Sequence, residues 1–237
     1  FLRGGELENH VVQLDGADMG SFRQNRADRN LTMNTDAIGD IQVKTAAIDA
    51  SSPLGTGAVI NVATKSGTDT FHGALGASFT PESWNGDNAG TGDVRFNKII
   101  QPDLSLSGPI VAGKVWFFAG YRYTRQFSGI SRTASQIATL SALQPGYEPF
   151  DNSVLSHNYY VKLTAQLSPK HQLYAFWERD QHPEDGNREI YAEPLRANLV
   201  GGSGYAARLQ SIWGSSVTTR VMLSYNDKTT SGGLFQD

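Results

Sequence analysis

The sequence predicts a small α+β domain over residues 1–68, followed over residues 69–237 by antiparallel up-and-down strands of a transmembrane β-barrel. Apolar residues cluster in short blocks before the segment Asp40–Phe79 and alternate with polar residues along successive strands after it. The links between the later strands alternate between long and short. We therefore expect a partial barrel of about seven strands joined to the small domain near residue 68.

Composition and charge exclude several classes of protein. The chain of 237 residues has a formal net charge of −3 and 18 % charged residues, which argues against a nucleic-acid partner because nucleic-acid-binding domains are normally basic. It contains no cysteine, so no disulfide framework or thiolate site is expected. No apolar run reaches the roughly 18 residues of a transmembrane helix. We expect the chain to be a fragment or a processed chain.

Short strands with little helix are predicted for the first 68 residues. Asp15-Gly16 has the residues of a tight turn, and a polar, Arg-rich stretch over 21–34 is expected to be a loop. A short turn of helix fits residues 35–40. The predicted strands are Val11–Leu14, Ile41–Thr45 and Ala58–Thr64, the last being a β-branched run buried on much of both faces.

Seven strands with strictly alternating link lengths are predicted for the rest of the chain. Their ranges are about 71–79, 103–109, 115–125, 156–167, 172–180, 205–213 and 218–228. The links 80–102, 126–155 and 181–204 are long, whereas 110–114, 168–171 and 214–217 are tight turns. In a meander, all the long links lie at one end and all the short turns at the other, as in transmembrane barrels of bacterial outer membranes.

The alternation assigns each predicted strand an apolar and a polar face. Tyr159, Val161 and Leu163 share one face, while polar side chains such as Lys162 share the other. For 172–180 the apolar face is ambiguous. Aromatic residues near strand ends fit interfacial girdles: Phe71, Phe79, Trp116, Tyr123, Tyr159, Trp177, Trp213 and Tyr225. A soluble β-sandwich with one wet face is the alternative, but it would need Greek-key links.

The junction segment carries a resemblance to a known family. Asp40–Thr45, Gly55–Thr68 and Phe71-His72-Gly73 resemble the end of a plug domain and the first barrel strand of TonB-dependent outer-membrane receptors, most of all the large Oar-like receptors. Gln13–Asp18 resembles the "DG-x-D" strand end of the plug. Further matches to the second and third barrel strands are Leu104–Ile110 and Lys114–Tyr121. Ser51–Leu54 departs from the acidic-aromatic-Gly triplet that often precedes the Gly-rich turn.

The resemblance implies a function, a location and partners. It implies a receptor of the bacterial outer membrane that binds an external ligand of unknown class and imports it through a plugged barrel. The implied partners are the TonB energising complex, outer-membrane lipid and the ligand. The alternative is a structural or adhesive β protein of the cell surface without transport. The sequence leaves iron chelates, vitamins, oligosaccharides and exported proteins open as ligands.

Two sets of residues are candidate functional positions. The plug–barrel junction is expected at a tight turn formed by Lys65, Ser66, Gly67 and Thr68. Residues of the expected external loops that combine aromatic and amide groups are candidate ligand contacts, namely Trp84, Asn85, Asp87, Asn88 and Tyr147. The five histidines lack zinc-ligand spacing, and neither a phosphate-binding loop nor a nucleophile elbow is present. We therefore expect no metal, no cofactor and no enzyme activity.

Overall fold

The computed structural model contains two β-sheets and one α-helix in residues 11–19, 33–45, 58–84, 86, 97–129, 133–147, 152–186 and 195–231, which are the residues it describes. The strands are β1 (Val11–Leu14), β2 (Ala17–Asp18), β3 (Ile38–Lys44), β4 (Val59–Thr64), β5 (His72–Thr80), β6 (Asn97–Val111), β7 (Val115–Ser128), β8 (Asn152–Ser168), β9 (His171–Gly186), β10 (Leu195–Trp213), β11 (Val217–Asn226) and β12 (Thr229–Ser231). The helix α1 spans Ala134–Leu143. Among the described residues, no helix has the length and apolar character to cross a membrane.

The smaller sheet has the strand order β2-β1-β4-β3. β1 pairs with β4 in parallel, whereas β2 and β3 form the two antiparallel edges. Asp15-Gly16 makes the turn between β1 and β2, with φ values of 50° and 89°, a conformation that Gly and Asp tolerate better than other residues. A 3-10 turn at Thr35–Ala37 precedes β3. It confirms the first half of the helical turn predicted over 35–40, whereas residues 38–40 already belong to β3.

The larger sheet runs antiparallel in strict chain order from β5 to β11, and β12 also pairs with β10. Turns of two or three residues join β6 to β7, β8 to β9 and β10 to β11, as predicted. The links β5–β6, β7–β8 and β9–β10 lie at the other end, which we call the long-loop end. The meander of seven strands with this asymmetry is therefore confirmed.

All three predicted long links are wrong in detail. The first, 80–102, ends earlier than predicted because β6 begins at Asn97. The link 126–155 contains α1, which begins at a capping box formed by Thr133 and Gln136. The predicted link 181–204 is mostly strand, because β9 continues to Gly186 and β10 begins at Leu195. Gly201 and Gly202, which fall in the predicted link, lie within β10 at φ values of 122° and 155°.

The small sheet packs on one face of the large sheet, which we call the inner face; the opposite one is the outer face. A shared hydrophobic cluster joins them, with Leu14, Ala17, Met19, Ala37 and Val62 on one side and Phe118, Tyr160, Phe176 and Ala206 on the other. This places most of the fully buried apolar side chains between the sheets. The core therefore lies at the contact, as expected when neither sheet alone can bury both faces.

The outer face is apolar and exposed. Leu75 is 83 % exposed and Leu223 is 73 % exposed. On β9 the ambiguity is removed, because Phe176 is buried against the small sheet and Trp177 stacks on Tyr159 on the outer face. Trp116 is an exception to the predicted girdle, since its indole is bound on the inner side to the segment before β5.

Candidate functional site between the two sheets

Asp15 is the centre of a polar cluster between the sheets. Its Oδ1 accepts a hydrogen bond of 3.0 Å from the backbone N–H of Thr64 at the end of β4. Its Oδ2 lies 3.0 Å from Nζ of Lys162 on β8 and accepts a hydrogen bond of 3.2 Å from the Tyr160 hydroxyl. Lys162 also donates to the Thr64 carbonyl oxygen at 3.2 Å. The buried charges of the two sheets are thus paired, which their desolvation requires.

A second polar contact joins the 3-10 turn of the small sheet to β6 and β7. Arg122 pairs with Asp103 on the neighbouring strand and donates 3.0 Å hydrogen bonds to the Met33 carbonyl oxygen and the Thr35 hydroxyl. Asn34, which is 2 % exposed, donates from Nδ2 to the Leu104 carbonyl oxygen at 3.2 Å. These bonds hold the turn against the backbone of the large sheet.

The connector Lys65–Thr68 leads from β4 to the large sheet. It contains no turn, so the predicted tight turn is wrong, and the chain bends instead at Asp69 and Thr70. The N–H of Lys65 donates to the Ala37 carbonyl oxygen at 2.8 Å. A Cβ on Gly67 would collide with the backbone of Phe117 and come within 2.9 Å of the Gly108 carbonyl oxygen. Only glycine permits this approach.

Asp69 fastens the end of the connector to the β6–β7 turn. Its Oδ1 accepts 2.7 Å hydrogen bonds from the backbone N–H of Gly113 and from Nε1 of Trp116. These two donors, the backbone N–H first, hold the pKa of the exposed Asp69 carboxyl below its ordinary value. The chain therefore enters the large sheet at the short-turn end, at a fixed position.

Lys228 forms a buried ion-pair cluster on the inner face near the long-loop end. Its Nζ lies 2.6 Å from Glu178 Oε1 and 3.2 Å from Asp180 Oδ1. The residues between β11 and β12 interrupt the strand, and Asp227 bonds the backbone of Ser203 from there. Lys228 lies in this interruption, and its side chain reaches the two carboxylates.

A cavity of about 260 Å³ lies between the small sheet and β10–β11. Its polar lining comprises the side chains of Gln13, Gln42, Lys44, Asn61, Arg208 and Arg220. Arg208 also donates to the Asp15 carbonyl oxygen and stacks over the Tyr174 ring at 4.8 Å. The contact between the sheets is thus partly open and lined by amides and cations.

The predicted ligand contacts are only partly within the described residues. Trp84 is 74 % exposed in a 3-10 turn after β5, and Tyr147 follows α1 in the next long link. Both lie at the long-loop end. Asn85, Asp87 and Asn88 lie outside the described residues. In the described part of the chain, no group of His, Asp and Glu has the arrangement of a metal site.

Sequence reasoning missed the residues that join the sheets. Lys162 was assigned to the polar face of its strand, and Asp15 was identified only within a turn motif. A lysine flanked by apolar residues on a strand is a weak signal for a buried ion pair. Its partner, 147 positions earlier in the sequence, becomes apparent only from the tertiary structure.

Comparison with solved structures identifies the fold. The ferric enterobactin receptor PfeA of Pseudomonas aeruginosa superposes with a TM-score of 0.61 at 17 % identity, covering 94 % of this chain and 33 % of that receptor. The outer membrane transporter YddB of Escherichia coli gives a TM-score of 0.64 at 11 % identity, covering 92 % and 31 %. At these identities the likeness shows the fold alone.

A relative found by sequence comparison indicates which kind of outer-membrane protein the chain resembles. The TonB-dependent transporter Oar of Myxococcus xanthus is 28 % identical over a stretch covering 41 % of this chain and 11 % of the relative. No protein-family model matches the chain. The chain thus spans about a third of the solved receptors and aligns with about a tenth of the curated relative. With the fold, these matches confirm the resemblance to TonB-dependent outer-membrane receptors that the junction segment carries.

Proposed function

We propose that residues 1–68 contribute to the plug domain of a TonB-dependent transporter and that residues 69–237 form the first strands of its barrel wall. The proposal is supported by the separation of β4 and β5 into different sheets. It is also supported by the apolar outer face, which suits lipid. The boundary corresponds to the connector Lys65–Thr68, which is fixed through Asp69 to the first short turn.

The observation that carries the transport function is the polar cluster of Asp15, Thr64, Tyr160 and Lys162. A plug must stay in place at rest and yield to a pull from the TonB complex. Buried ion pairs and hydrogen bonds serve this purpose because water can replace them once the contact opens. The adjacent cavity, lined by amides and cations, provides a wet path along the inner wall.

The ligand is proposed to bind at the long-loop end. Trp84 and Tyr147 lie there, and Asn85, Asp87 and Asn88 fall in the same link as Trp84. These side chains offer aromatic surface and hydrogen-bonding groups for a polar ligand. Because a receptor with the same fold is a ferric enterobactin receptor, an iron chelate is the first class to test.

The experiment compares the intact receptor with a variant lacking its plug, both expressed in cells with and without a functional TonB complex. The measurements are insertion into the outer membrane, surface binding of radiolabelled ferric enterobactin and other candidate ligands, and energy-dependent uptake. We expect the variant to insert normally and to lose TonB-dependent uptake. If the intact receptor binds a ligand at the cell surface but shows no uptake of it, the result would instead favour the adhesive alternative.

A further inference from the structure

The cavity between the small sheet and β10–β11 has a row of amides on the side of the small sheet. Gln13, Asn61 and Gln42 occupy one cross-strand row over β1, β4 and β3. Lys44 follows Gln42 by two residues, so both lie on the same face of β3. Asn61 Oδ1 accepts a 2.9 Å hydrogen bond from the backbone N–H of Gly16, which leaves the amide nitrogen of Asn61 for another partner. This side of the cavity therefore offers N–H donors and one ammonium group.

The opposite side of the cavity carries two arginines of the large sheet. Arg208 on β10 pairs directly with Met222 on β11, and Arg220 lies two residues from Met222 on the same face. The two arginines are therefore diagonal neighbours, which lie about 7–8 Å apart on a sheet. Like charges at this separation repel each other, so the arrangement favours an anion between them.

The two arginine charges are not neutralised within the part of the chain that the structure describes. The described residues that line the cavity include no Asp or Glu. Arg208 reaches Asp15 at its backbone carbonyl oxygen, 3.4 Å away, whereas the Asp15 carboxylate is paired with Lys162. The Nε–H of Arg208 is buried and meets no acceptor among the described residues. Arg220 is exposed and forms no hydrogen bond or ion pair with them. Because a buried N–H without an acceptor is costly, an oxyanion in the cavity would supply what Arg208 lacks.

Arg208 is held in place before any anion binds. Its guanidinium stacks over the Tyr174 ring at 4.8 Å, and the Tyr174 hydroxyl donates to Gln172 on the same strand. Binding to a side chain that is already ordered loses less conformational entropy. The cavity volume of about 260 Å³ is far above the roughly 10–15 Å³ that one water needs. The cavity therefore has room for a small polyatomic anion.

The cavity lies toward the short-turn end of the large sheet. Arg220 comes three residues after Val217, where β11 begins, and Arg208 comes five residues before Trp213, where β10 ends. At about 3.3 Å per residue, the two arginines lie roughly 10 Å and 16 Å along the strands from the turn. In the orientation of the proposed function this end faces the periplasm, so a periplasmic anion has the shorter path to the cavity.

We propose that the cavity binds a small multivalent oxyanion of the phosphate type, which bridges the small sheet and the barrel wall. Arginine binds such anions through paired N–H donors, and the amide row supplies further donors from the other side. Because the site needs both sheets, the anion binds only while they are in contact. Binding therefore stabilises the contact by mass action and holds the small sheet against the wall. The inference rests on the proposed function only for the orientation and for the role of the small sheet as a plug.

The first test measures the binding of inorganic phosphate to the intact receptor by isothermal titration calorimetry, in chloride buffer of constant ionic strength. Arg220→Gln is compared with Lys114→Gln, which removes one charge at an exposed short turn of the same end. We expect Arg220→Gln to bind phosphate about tenfold more weakly and Lys114→Gln to bind it like the wild type. Equal weakening by both substitutions would mean that only net charge matters, and no binding to the wild type would mean that the cavity is not an anion site. Either result overturns the proposal.

The second test measures the bridge between the sheets. The urea concentration that releases half of the small sheet, detected by proteolysis, is compared in phosphate and in chloride of equal ionic strength. Phosphate should raise this concentration in the wild type and in Lys114→Gln, but not in Arg220→Gln. The same rise in all three proteins would indicate a general salt effect, and binding without any rise would contradict the bridge. Because no uptake is measured, failure here is distinct from failure of the transport function, which the plug deletion tests.

Discussion

Lys162 on β8 pairs with Asp15 on the turn of the small sheet at 3.0 Å, and both side chains are nearly inaccessible to solvent. The pair joins residues from the two sheets, and Thr64 and Tyr160 complete its hydrogen bonds. Removing either charge by substitution leaves the other charge buried and without its counter-charge. The contact between the sheets therefore depends on this pair more than on any exposed ion pair.

Asp15→Asn should loosen the small sheet from the wall. The amide keeps the size of the side chain but leaves the Lys162 ammonium without a counter-charge, at a cost of about 3 kcal/mol. The measurement is the urea concentration at which half of the small sheet is released from the wall of the intact receptor. Release is detected by the susceptibility of the small sheet to proteolysis. The double variant Asp15→Asn/Lys162→Met should recover part of the loss, and strict additivity of the two single changes would contradict a direct pairing.

Gly67→Ala should disturb the connector. The added Cβ would overlap the backbone of Phe117, so the connector must shift, which we expect to cost about 2 kcal/mol. Gly76→Ala is the control, because a Cβ there has Asp103 Cβ as its nearest neighbour at 3.8 Å, an ordinary contact. Amide hydrogen exchange across residues 65–72 should rise in Gly67→Ala alone. Equal exchange in both variants would contradict the close approach.

The two hydrogen bonds that Asp69 accepts from Gly113 and Trp116, which we call the Asp69 clamp, should depend on pH. Since the folded pKa of Asp69 is lowered by the Gly113 and Trp116 donors, the clamp stabilises the connector above the unfolded pKa of about 3.9. This stabilisation is lost as the pH falls through the lower, folded pKa. The Trp116 indole N–H resonance, assigned with Trp116→Phe, should titrate with a midpoint below about 3.9 and should not titrate in Asp69→Asn. A midpoint at or above the ordinary value would refute the clamp.

The strand pattern was predictable because its signals are local. Period-two alternation, as along Tyr159–Leu167, and the turn residues at 168–171 and 214–217 determine strand number and order. The capping box of Thr133 and Gln136 is also local, so α1 was identifiable and was overlooked. The strand ends toward the long loops were not predictable from the sequence. Gly201 and Gly202 suggest a loop until their partners on the neighbouring strand are known.

The site was less predictable because it depends on contacts between distant segments. Gly67 was named as a junction residue from the family resemblance. The reason that only glycine fits there, the close approach to the Phe117 backbone, is visible only in the fold. Asp15 and Lys162 are ordinary turn and strand residues in isolation. The candidate ligand contacts at the long-loop end, including Trp84 and Tyr147, remain predictions.

We propose that the small sheet closes the lumen as a plug and must leave the wall for the channel to open. A disulfide between Ala37→Cys and Gly120→Cys tests it, because a Cβ on Gly120 would lie 3.9 Å from Ala37 Cβ, within disulfide range. The chain has no cysteine of its own. The control disulfide, Ala175→Cys/Ala207→Cys, joins paired residues of β9 and β10 within the wall.

The measurement is the conductance of the intact receptor in a planar bilayer as urea is raised. We expect the wild type and the control disulfide to open at the same urea concentration. The oxidised Ala37→Cys/Gly120→Cys receptor should stay closed at that concentration and open after reduction. Opening that is identical with and without the disulfide would contradict the plug role, because the small sheet would then not be the element that closes the channel.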